Sequence, residues 1–227
     1  RLSLVGSEMC IRDSHTVSGK VVVPGASHIC VAAAAHASVA GADGQGVQLS
    51  DAAFERPLEL ALGTVVEATT SSDGVEVAAR ASADDDASVV ATVRACALVT
   101  APAAPEAPEG LETKATDTVY SQLAAAGLPY GPRFRVLRDV QVGPSGAVAT
   151  AELVSPAAWE ETLGFVHPAL LDGAMQLLVY CGQQGSANLF LPSSVREAFV
   201  GPCPPGPLTV IVRVLELSAR SVEADLT

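Results

Sequence analysis

The sequence predicts an α+β protein built from two halves of similar design. Two segments have the composition of central helices, an alanine-rich one over 24–40 and a largely apolar one over 168–182. Strand-like segments bounded by Gly, Pro and Asp accompany each helix. The stretch 101–113, which begins with a Pro- and Ala-rich run, lacks apolar periodicity and is typical of a linker. We therefore expect a first half over 15–100 and a second half over 114–227.

The first fourteen residues differ in composition from the rest of the chain. Residues 5–14 resemble the translation of a sequencing adaptor, so we predict that segment 1–14 is non-native and exclude it from the fold. The last residues, 214–227, stop within strand-like sequence. We therefore expect a fragment that is truncated at both ends.

The first native element is a short segment that leads from a histidine into the first helix. Gly19 lets the backbone turn sharply or approach a ligand closely. The run 21–23 predicts a short buried strand, and Pro24 suits the first turn of a helix. His15 at this place suits a catalytic base, because helix N-terminal N–H groups polarise a nearby carbonyl. The alternative is a histidine in a surface loop.

The remainder of the first half predicts a helix followed by strands. The glycine-rich stretch 41–46 ends the helix, and 70–74 is typical of a hairpin turn. His28 and His36 are predicted to lie at the rim and on one face of the helix rather than to bind a ligand. The predicted strands cover 47–54, 58–68, 75–81 and 89–99.

The second half begins with a short amphipathic helix over 118–126, which Gly127 ends. The predicted strands after it cover 136–142, 147–154, 191–195 and 208–217. In the second central helix, Asp172 and Gln176 lie four residues apart, at a spacing that allows a hydrogen bond. An Asp on a mostly apolar helix is either part of a solvated face or a carboxyl held for use.

The composition excludes several classes of protein. Hydrophobic residues make up 49% and charged residues 17% of the chain, which excludes wholesale disorder. The net charge of −12 makes nucleic acid an unsuitable partner. Five cysteines follow neither a metal-ligand nor a disulfide spacing, as expected of reduced thiols in a cytoplasmic protein. No apolar run has the length of a membrane span or the features of a signal peptide.

Three motifs together resemble the dehydratase domain of modular type I polyketide synthases, a relative of fatty-acid synthase dehydratases. His15, Gly19 and Pro24 match the family's HxxxGxxxxP motif. The second motif, YGPxF, is matched by Tyr130, Gly131, Pro132 and Phe134, with Arg133 at the variable position. Asp172 and Gln176 match DxxxQ/H, and Leu191-Pro192 is similar to a segment that follows. Each motif alone is weak, whereas their order and separation are specific.

The resemblance implies a double hotdog fold, in which each half is an antiparallel sheet wrapped around a central helix. In that family, strands of the first half precede the catalytic histidine, and we expect them to be missing here. A sheet that lacks strands exposes an edge and apolar surface, so we predict that the fragment alone is unstable or aggregates.

The resemblance also implies a reaction, the dehydration of a β-hydroxyacyl thioester to an α,β-enoyl thioester. In this assignment His15 is the base and Asp172 the acid, and Gln176 orients the Asp172 carboxyl. The backbone N–H near Gly25 polarises the thioester carbonyl. Gly19, Pro24, Tyr130, Gly131, Pro132 and Phe134 support or line the pocket. No metal or other cofactor is implied, because the substrate arrives on the phosphopantetheine of an acyl carrier protein.

Other interpretations remain open at this point. A related hotdog isomerase or cyclase uses the same His/Asp pair, and a catalytically silent module retained for architecture is a further possibility. His167 is an alternative to His15, although its place before Pro168 favours a capping or packing role. The expected partners are the carrier protein and neighbouring synthase domains, with a possible homodimer and no nucleic acid or membrane. Arg133, Arg135 and Arg138 are candidate contacts for the acidic carrier.

Overall fold

The computed structural model describes residues 14–41, 46–61, 64–80, 86–99, 103, 105–153, 166–183, 189–202, 206–218 and 221–227. The prediction of a non-native N-terminal segment therefore lies outside the described residues, apart from Ser14. The linker is described at residue 103 and from residue 105 onward.

A hairpin, a long helix and five strands form the first half of the chain. The hairpin consists of β1 (Thr16–Val17) and β2 (Lys20–Val21), and helix α1 follows over Gly25–Ala40. The strands are β3 (Gly46–Phe54), β4 (Val65–Ser71), β5 (Gly74–Arg80), β6 (Ser88–Val93) and β7 (Ala95–Val99).

The second half contains two helices, a 3₁₀ turn and six strands among the described residues. Strand β8 (Glu112–Thr113) precedes helix α2 (Thr116–Ala125) and the 3₁₀ turn Pro132–Phe134. Strands β9 (Leu137–Gly143) and β10 (Gly146–Ala151) come before helix α3 (Pro168–Gln183). The last strands are β11 (Ser194–Val200), β12 (Leu208–Leu217) and β13 (Val222–Leu226).

Two antiparallel sheets surround the two long helices. One sheet has the order β11-β3-β6-β5-β4, with β7 also paired to β3, and packs on α1. The other has the order β13-β12-β10-β9-β8 and packs on α3. Helices α1 and α3 also contact each other, so Met175 of α3 belongs to the core around α1.

One strand crosses between the halves. Strand β11 follows α3 in the chain, yet it pairs antiparallel with β3, from Ser194 opposite Ala53 to Val200 opposite Val47. The two sheets therefore do not separate completely at the predicted linker.

Small side chains bring α1 close to its sheet. Residues 26–35 of α1 are all buried, and five of these ten are alanines. A helix that is buried on nearly every side is expected when a curved sheet wraps around it. Asp51, with φ of 50°, marks a corner at which β3 changes its partner from β7 to β6. Such irregularities bend a strand and increase the curvature of a sheet.

The predicted helices are present, with three corrections to the local detail. Pro24 is not in the first turn of α1 but caps it in an extended conformation, with φ −60° and ψ 144°. The strand predicted over 58–68 begins only at Val65, because Leu58 and Leu60 make their backbone hydrogen bonds to Val23 and Val21. The strand predicted over 89–99 is divided in two, β6 and β7. Across the described residues, no helix combines the length and apolarity needed to cross a membrane.

Candidate active site

His15 is oriented by the hairpin that follows it. The two-residue loop of Ser18 and Gly19 has positive φ angles of 49° and 82°, which glycine adopts without strain. This loop folds the chain back so that His15 Nδ1 lies 2.6 Å from the carbonyl oxygen of Val22. Because a carbonyl only accepts hydrogen bonds, the Nδ1 atom must carry the proton. A neutral His15 therefore has an unprotonated Nε2, as a general base requires.

The Nε2 of His15 faces a carboxylic acid from the other half of the chain. It lies 3.8 Å from Oδ1 of Asp172, and both side chains are buried. Asp172 reaches this position from the second turn of α3. The next residue, Gly173, lets α3 approach the sheet, since a Cβ there would lie only 2.7 Å from Cγ2 of Val136. The structure thus brings together the two residues to which the sequence assigned acid–base chemistry.

The Asp172 carboxyl is held by a buried hydrogen-bond network. Gln176 donates from Nε2 to Oδ2 of Asp172 at 2.7 Å and to the carbonyl oxygen of Phe134 at 2.9 Å. Its Oε1 accepts a hydrogen bond of 3.1 Å from the hydroxyl of Tyr120, which in turn accepts from the N–H of Leu137 at 3.0 Å. Only one orientation of the Gln176 amide therefore allows all three of its hydrogen bonds.

Tyr120 is a residue of this network that the sequence analysis missed. It lies on the buried side of the short helix α2, at a spacing that predicts burial but gives no partner for the hydroxyl. Because a buried Tyr hydroxyl normally has a hydrogen-bond partner, the predicted burial of Tyr120 was the signal that could have indicated a role in a polar network.

Burial controls the protonation of the site. It raises the pKa of Asp172, while the nearby His15 and the hydrogen bond from Gln176 oppose that rise. Asp172 therefore stays protonated up to a higher pH than an exposed aspartic acid does. Burial, and secondarily Asp172 and Tyr120, raises the pKa of Tyr130 well above its ordinary value, so this phenol stays neutral. Burial likewise raises the pKa of Tyr120 to about 12.

The second motif forms an aromatic wall beside His15. Ring centroids of Tyr130 and Phe134 lie 5.6 and 5.3 Å from that of His15. Pro132 begins the 3₁₀ turn, which places Phe134 in the core. The N–H of Gly131 donates to the carbonyl oxygen of Ser14 at 2.8 Å, so the backbone also ties this motif to the segment of His15.

A cavity of about 140 Å³ opens on the acid–base pair. Gly25 lines it as the first residue of α1, where its N–H has no intrahelical acceptor. A Cβ at Gly25 would lie 3.0 Å from the ring of Phe54, so a larger residue would crowd the cavity. The lining is mostly apolar and consists of His15, Val17, Val22, Val23, Pro24, Gly25, His28, Phe54, Arg56, Pro57, Leu58, Leu128, Tyr130, Asp172, Met175, Val179, Leu191 and Pro192.

The predictions for two further histidines, His167 and His28, have different outcomes. His167 Nδ1 accepts a hydrogen bond from the N–H of Ala169 at 3.1 Å, which confirms the predicted capping role at the start of α3. Burial lowers its pKa to about 4. His28 was predicted at the rim of α1, and this is wrong. The side chain is only 4% exposed and lines the cavity.

The arginine cluster lies outside the cavity. Arg135 donates to Asp117 at 3.0 Å and stacks over the ring of Tyr120 at 4.7 Å. Arg138 donates to two nearby backbone carbonyls, and Arg133 is exposed. Arg56, which the sequence analysis missed, lines the cavity instead. No group of three or more His, Cys, Asp or Glu within the described ranges is arranged to hold a metal ion.

Two family models match the chain over complementary ranges. The one described as the polyketide synthase dehydratase N-terminal domain matches residues 98–227. The one described as the polyketide synthase dehydratase domain matches residues 2–94. Together they include all three motifs.

Curated relatives are much longer proteins. The hybrid PKS-NRPs synthetase opdA of Penicillium oxalicum is 29% identical over 228 residues, which covers 86% of this chain and 6% of the relative. The polyketide synthase ThaG of Burkholderia thailandensis is 30% identical over 195 residues, which covers 77% of this chain and 3% of the relative. The chain thus spans only a small part of the length of these two relatives.

Solved structures share the fold. The structure named GphF Dehydratase 1 superposes with a TM-score of 0.82 at 22% identity, covering 98% of this chain and 84% of that chain. The dehydratase domain of RzxB from Pseudomonas fluorescens gives a TM-score of 0.77 at 24% identity, covering 94% and 82%. The predicted double hotdog fold is confirmed.

Proposed function

The chain belongs to the dehydratase domains of polyketide synthases, and from that premise we propose that it dehydrates a β-hydroxyacyl thioester to the α,β-enoyl thioester during polyketide assembly. The observation that carries this proposal is the separation of 3.8 Å between His15 Nε2 and Asp172 Oδ1 at the wall of a mostly apolar cavity. An elimination of water needs a base at the α-carbon and an acid at the β-hydroxyl. This pair offers one of each.

The protonation states suit those two tasks. The bond from Nδ1 to Val22 leaves His15 Nε2 free to remove the α-proton. The electron pair of the Cα–H bond forms the Cα=Cβ double bond, and the Cβ–O bond breaks. Asp172, which burial favours in its protonated form, gives its proton to the departing hydroxyl, and water leaves. Return of the α-proton from His15 to Asp172 restores both groups for the next turnover.

The remaining site residues support this chemistry. The N–H of Gly25 at the start of α1 polarises the thioester carbonyl and so acidifies the α-carbon. Gln176 fixes the direction of the Asp172 carboxyl through its bond of 2.7 Å. Tyr130 and Gly131 shape the wall beside His15. The reaction is redox-neutral and uses only proton transfers, so the proposal includes no cofactor.

The proposed partner is an acyl carrier protein that delivers the substrate on its phosphopantetheine arm. The curated relatives are multidomain synthases, which supports neighbouring synthase domains as further partners. The proposal also includes a cytoplasmic location and a homodimer. The exposed Arg133, at the variable position of the second motif, is a proposed carrier contact, together with the partly buried Arg135 and Arg138.

The experiment that tests the proposed function follows the loss of water from a β-hydroxyacyl carrier substrate by mass spectrometry. His15→Ala and Asp172→Asn should each abolish dehydration, whereas His36→Ala should not, because His36 lies further along α1 and does not line the cavity. Near-wild-type turnover by either site variant would refute the assignment. A product with a migrated double bond or a ring would favour an isomerase or cyclase, and an inert but folded wild type would indicate a silent module.

A further inference from the structure

The Nδ1 atom of His28 differs in its hydrogen bonding from the Nδ1 atoms of the other two buried histidines, His15 and His167. The Nδ1 of His15 bonds to a carbonyl oxygen, and the Nδ1 of His167 bonds to a backbone N–H. The Nδ1 of His28 is buried and has no hydrogen-bond partner within the part of the chain that the structure describes. Buried polar groups are nearly always paired, so an unpaired one needs a physical explanation.

The position of His28 supplies that explanation. It lies three residues after Gly25 on α1, on the same face of the helix, and both residues line the cavity of the acid–base pair. Its ring centroid lies 6.4 Å from that of Phe54, which lines the cavity as well. The imidazole is therefore a polar group in the mostly apolar wall of the cavity to which the proposed function assigns the acyl chain.

We propose that His28 is a specificity-determining residue that hydrogen-bonds an oxygen on the acyl chain beyond the β-carbon. The inference rests on the proposed dehydration and adds a substrate class to it: β-hydroxyacyl thioesters that also carry a hydroxyl group at the δ-carbon. Chains assembled from two-carbon units carry their oxygen atoms on alternate carbons, so δ is the first position after β at which one occurs. An oxygen at the δ-carbon would give the imidazole of His28 a hydrogen-bond partner.

The protonation of His28 fits this task. Burial lowers its pKa to about 4, so the ring is neutral at physiological pH. A neutral imidazole has one N–H donor and one acceptor nitrogen, and either atom suits a hydroxyl group. A charged ring in the same wall would oppose the entry of an apolar chain.

The test compares two pantetheine thioesters of equal chain length, a β,δ-dihydroxyacyl thioester and its δ-deoxy analogue. The wild type should prefer the hydroxylated substrate by about tenfold in kcat/KM, because a site that contains a buried polar group rejects a ligand that leaves it unpaired. His28→Phe should abolish this preference, mainly through loss of activity on the hydroxylated substrate. His28→Gln, which retains a donor and an acceptor, should keep part of it.

The design separates this inference from the proposed function and from a folding defect. Unfolded protein lowers both activities equally, so the ratio of the two kcat/KM values is unaffected. His28→Leu gives a smaller apolar variant in case Phe is too large, and His36→Phe is the matched control on α1. A wild-type ratio near one, or an unchanged ratio in both apolar variants, would overturn the inference. Dehydration of the δ-deoxy substrate by His28→Phe would at the same time uphold the proposed function.

Discussion

The hydroxyl of Tyr120 donates to Oε1 of Gln176 across 3.1 Å, and this bond fixes which end of the amide faces Asp172. With its oxygen occupied by Tyr120, Gln176 directs its NH₂ group at Oδ2 of Asp172. The same hydroxyl accepts the N–H of Leu137 at the start of β9. The orientation of the acid is thus tied to a helix and a strand that do not themselves contact the cavity.

Tyr120→Phe should weaken both folding and catalysis. The change leaves Oε1 of Gln176 and the N–H of Leu137 without their partner, so we expect the free energy of unfolding to fall by about 1–3 kcal/mol. The kcat for dehydration should fall about tenfold with little change in KM, because the acid loses its orientation rather than the substrate its binding. Urea titration and steady-state kinetics measure the two effects.

The pH profile separates positioning from a merely structural role for Tyr120. The bond from Gln176 lowers the pKa of Asp172, so a loosened Gln176 should let that pKa rise further. Because Asp172 acts as an acid, the alkaline limb of the kcat profile should then move to higher pH. Tyr180→Phe, at a buried tyrosine of α3 outside the Gln176 network, is the control. An alkaline limb that stays in place in Tyr120→Phe would contradict the positioning role.

Asp172→Asn should make the protein more stable at neutral pH while it abolishes activity. Burial raises the pKa of Asp172 in the folded state above its ordinary value of about 3.9. The stability that this group contributes is therefore fully present below the ordinary pKa and is lost as pH rises through the raised one. Asn does not ionise, so the stability difference between variant and wild type should grow over that window and then level off.

Chemical denaturation at a series of pH values measures this difference. Asp73→Asn, at the exposed tip of the hairpin between β4 and β5, is the control and should show no such growth. A stability difference for Asp172→Asn that is constant with pH would contradict a buried, protonated Asp172.

The sequence predicts the parts of this molecule that depend on local patterns. The alanine-rich α1, the helix that carries Asp172 and the breaks at Gly41 and Gly127 follow from composition, apolar spacing and turn residues. The motifs placed His15 and Asp172 in one site although 157 positions separate them in the numbering. That prediction came from the resemblance and not from the physics of either segment.

The features that escaped prediction depend on contacts between distant segments. Strand β11 pairs with β3, and no local pattern in β11 indicates which sheet it joins. The burial of His28 likewise requires the neighbouring Phe54, and the role of Tyr120 requires the carboxamide of Gln176. Local periodicity indicates which face of an element is buried but does not identify what lies against it.

Gly19→Ala should disturb the base through the backbone. Gly19 has φ of 82° in the loop that returns Val22 to His15, and a Cβ there meets no atom within 4 Å. The expected cost is therefore backbone strain of about 1 kcal/mol rather than a clash. Because the strain falls on the hairpin that fixes the imidazole, kcat should fall severalfold.

Gly206→Ala is the matched control for that substitution. Gly206 has φ of 101°, and a Cβ there also meets no atom within 4 Å, but it lies outside the residues that line the cavity. Both variants should lose similar stability in thermal unfolding, and Gly19→Ala should lose kcat in addition. Equal kcat values for the two variants would show that the hairpin geometry does not limit catalysis.

Arg133→Glu should weaken delivery of the substrate by the carrier protein. Arg133 is exposed beside the second motif, whereas Arg135 contacts Asp117 and Tyr120, so a change at Arg135 would also disturb the Gln176 network. With a net charge of −12, the chain repels an acidic carrier unless positive charge is concentrated locally. The KM for a carrier-bound substrate should rise severalfold, and that for a small pantetheine thioester should not change. The rise should shrink at high ionic strength.

Arg196→Glu on β11 makes the same change of charge at an exposed site and serves as the control. An equal rise in KM for both substrates would remove Arg133 from the carrier contact.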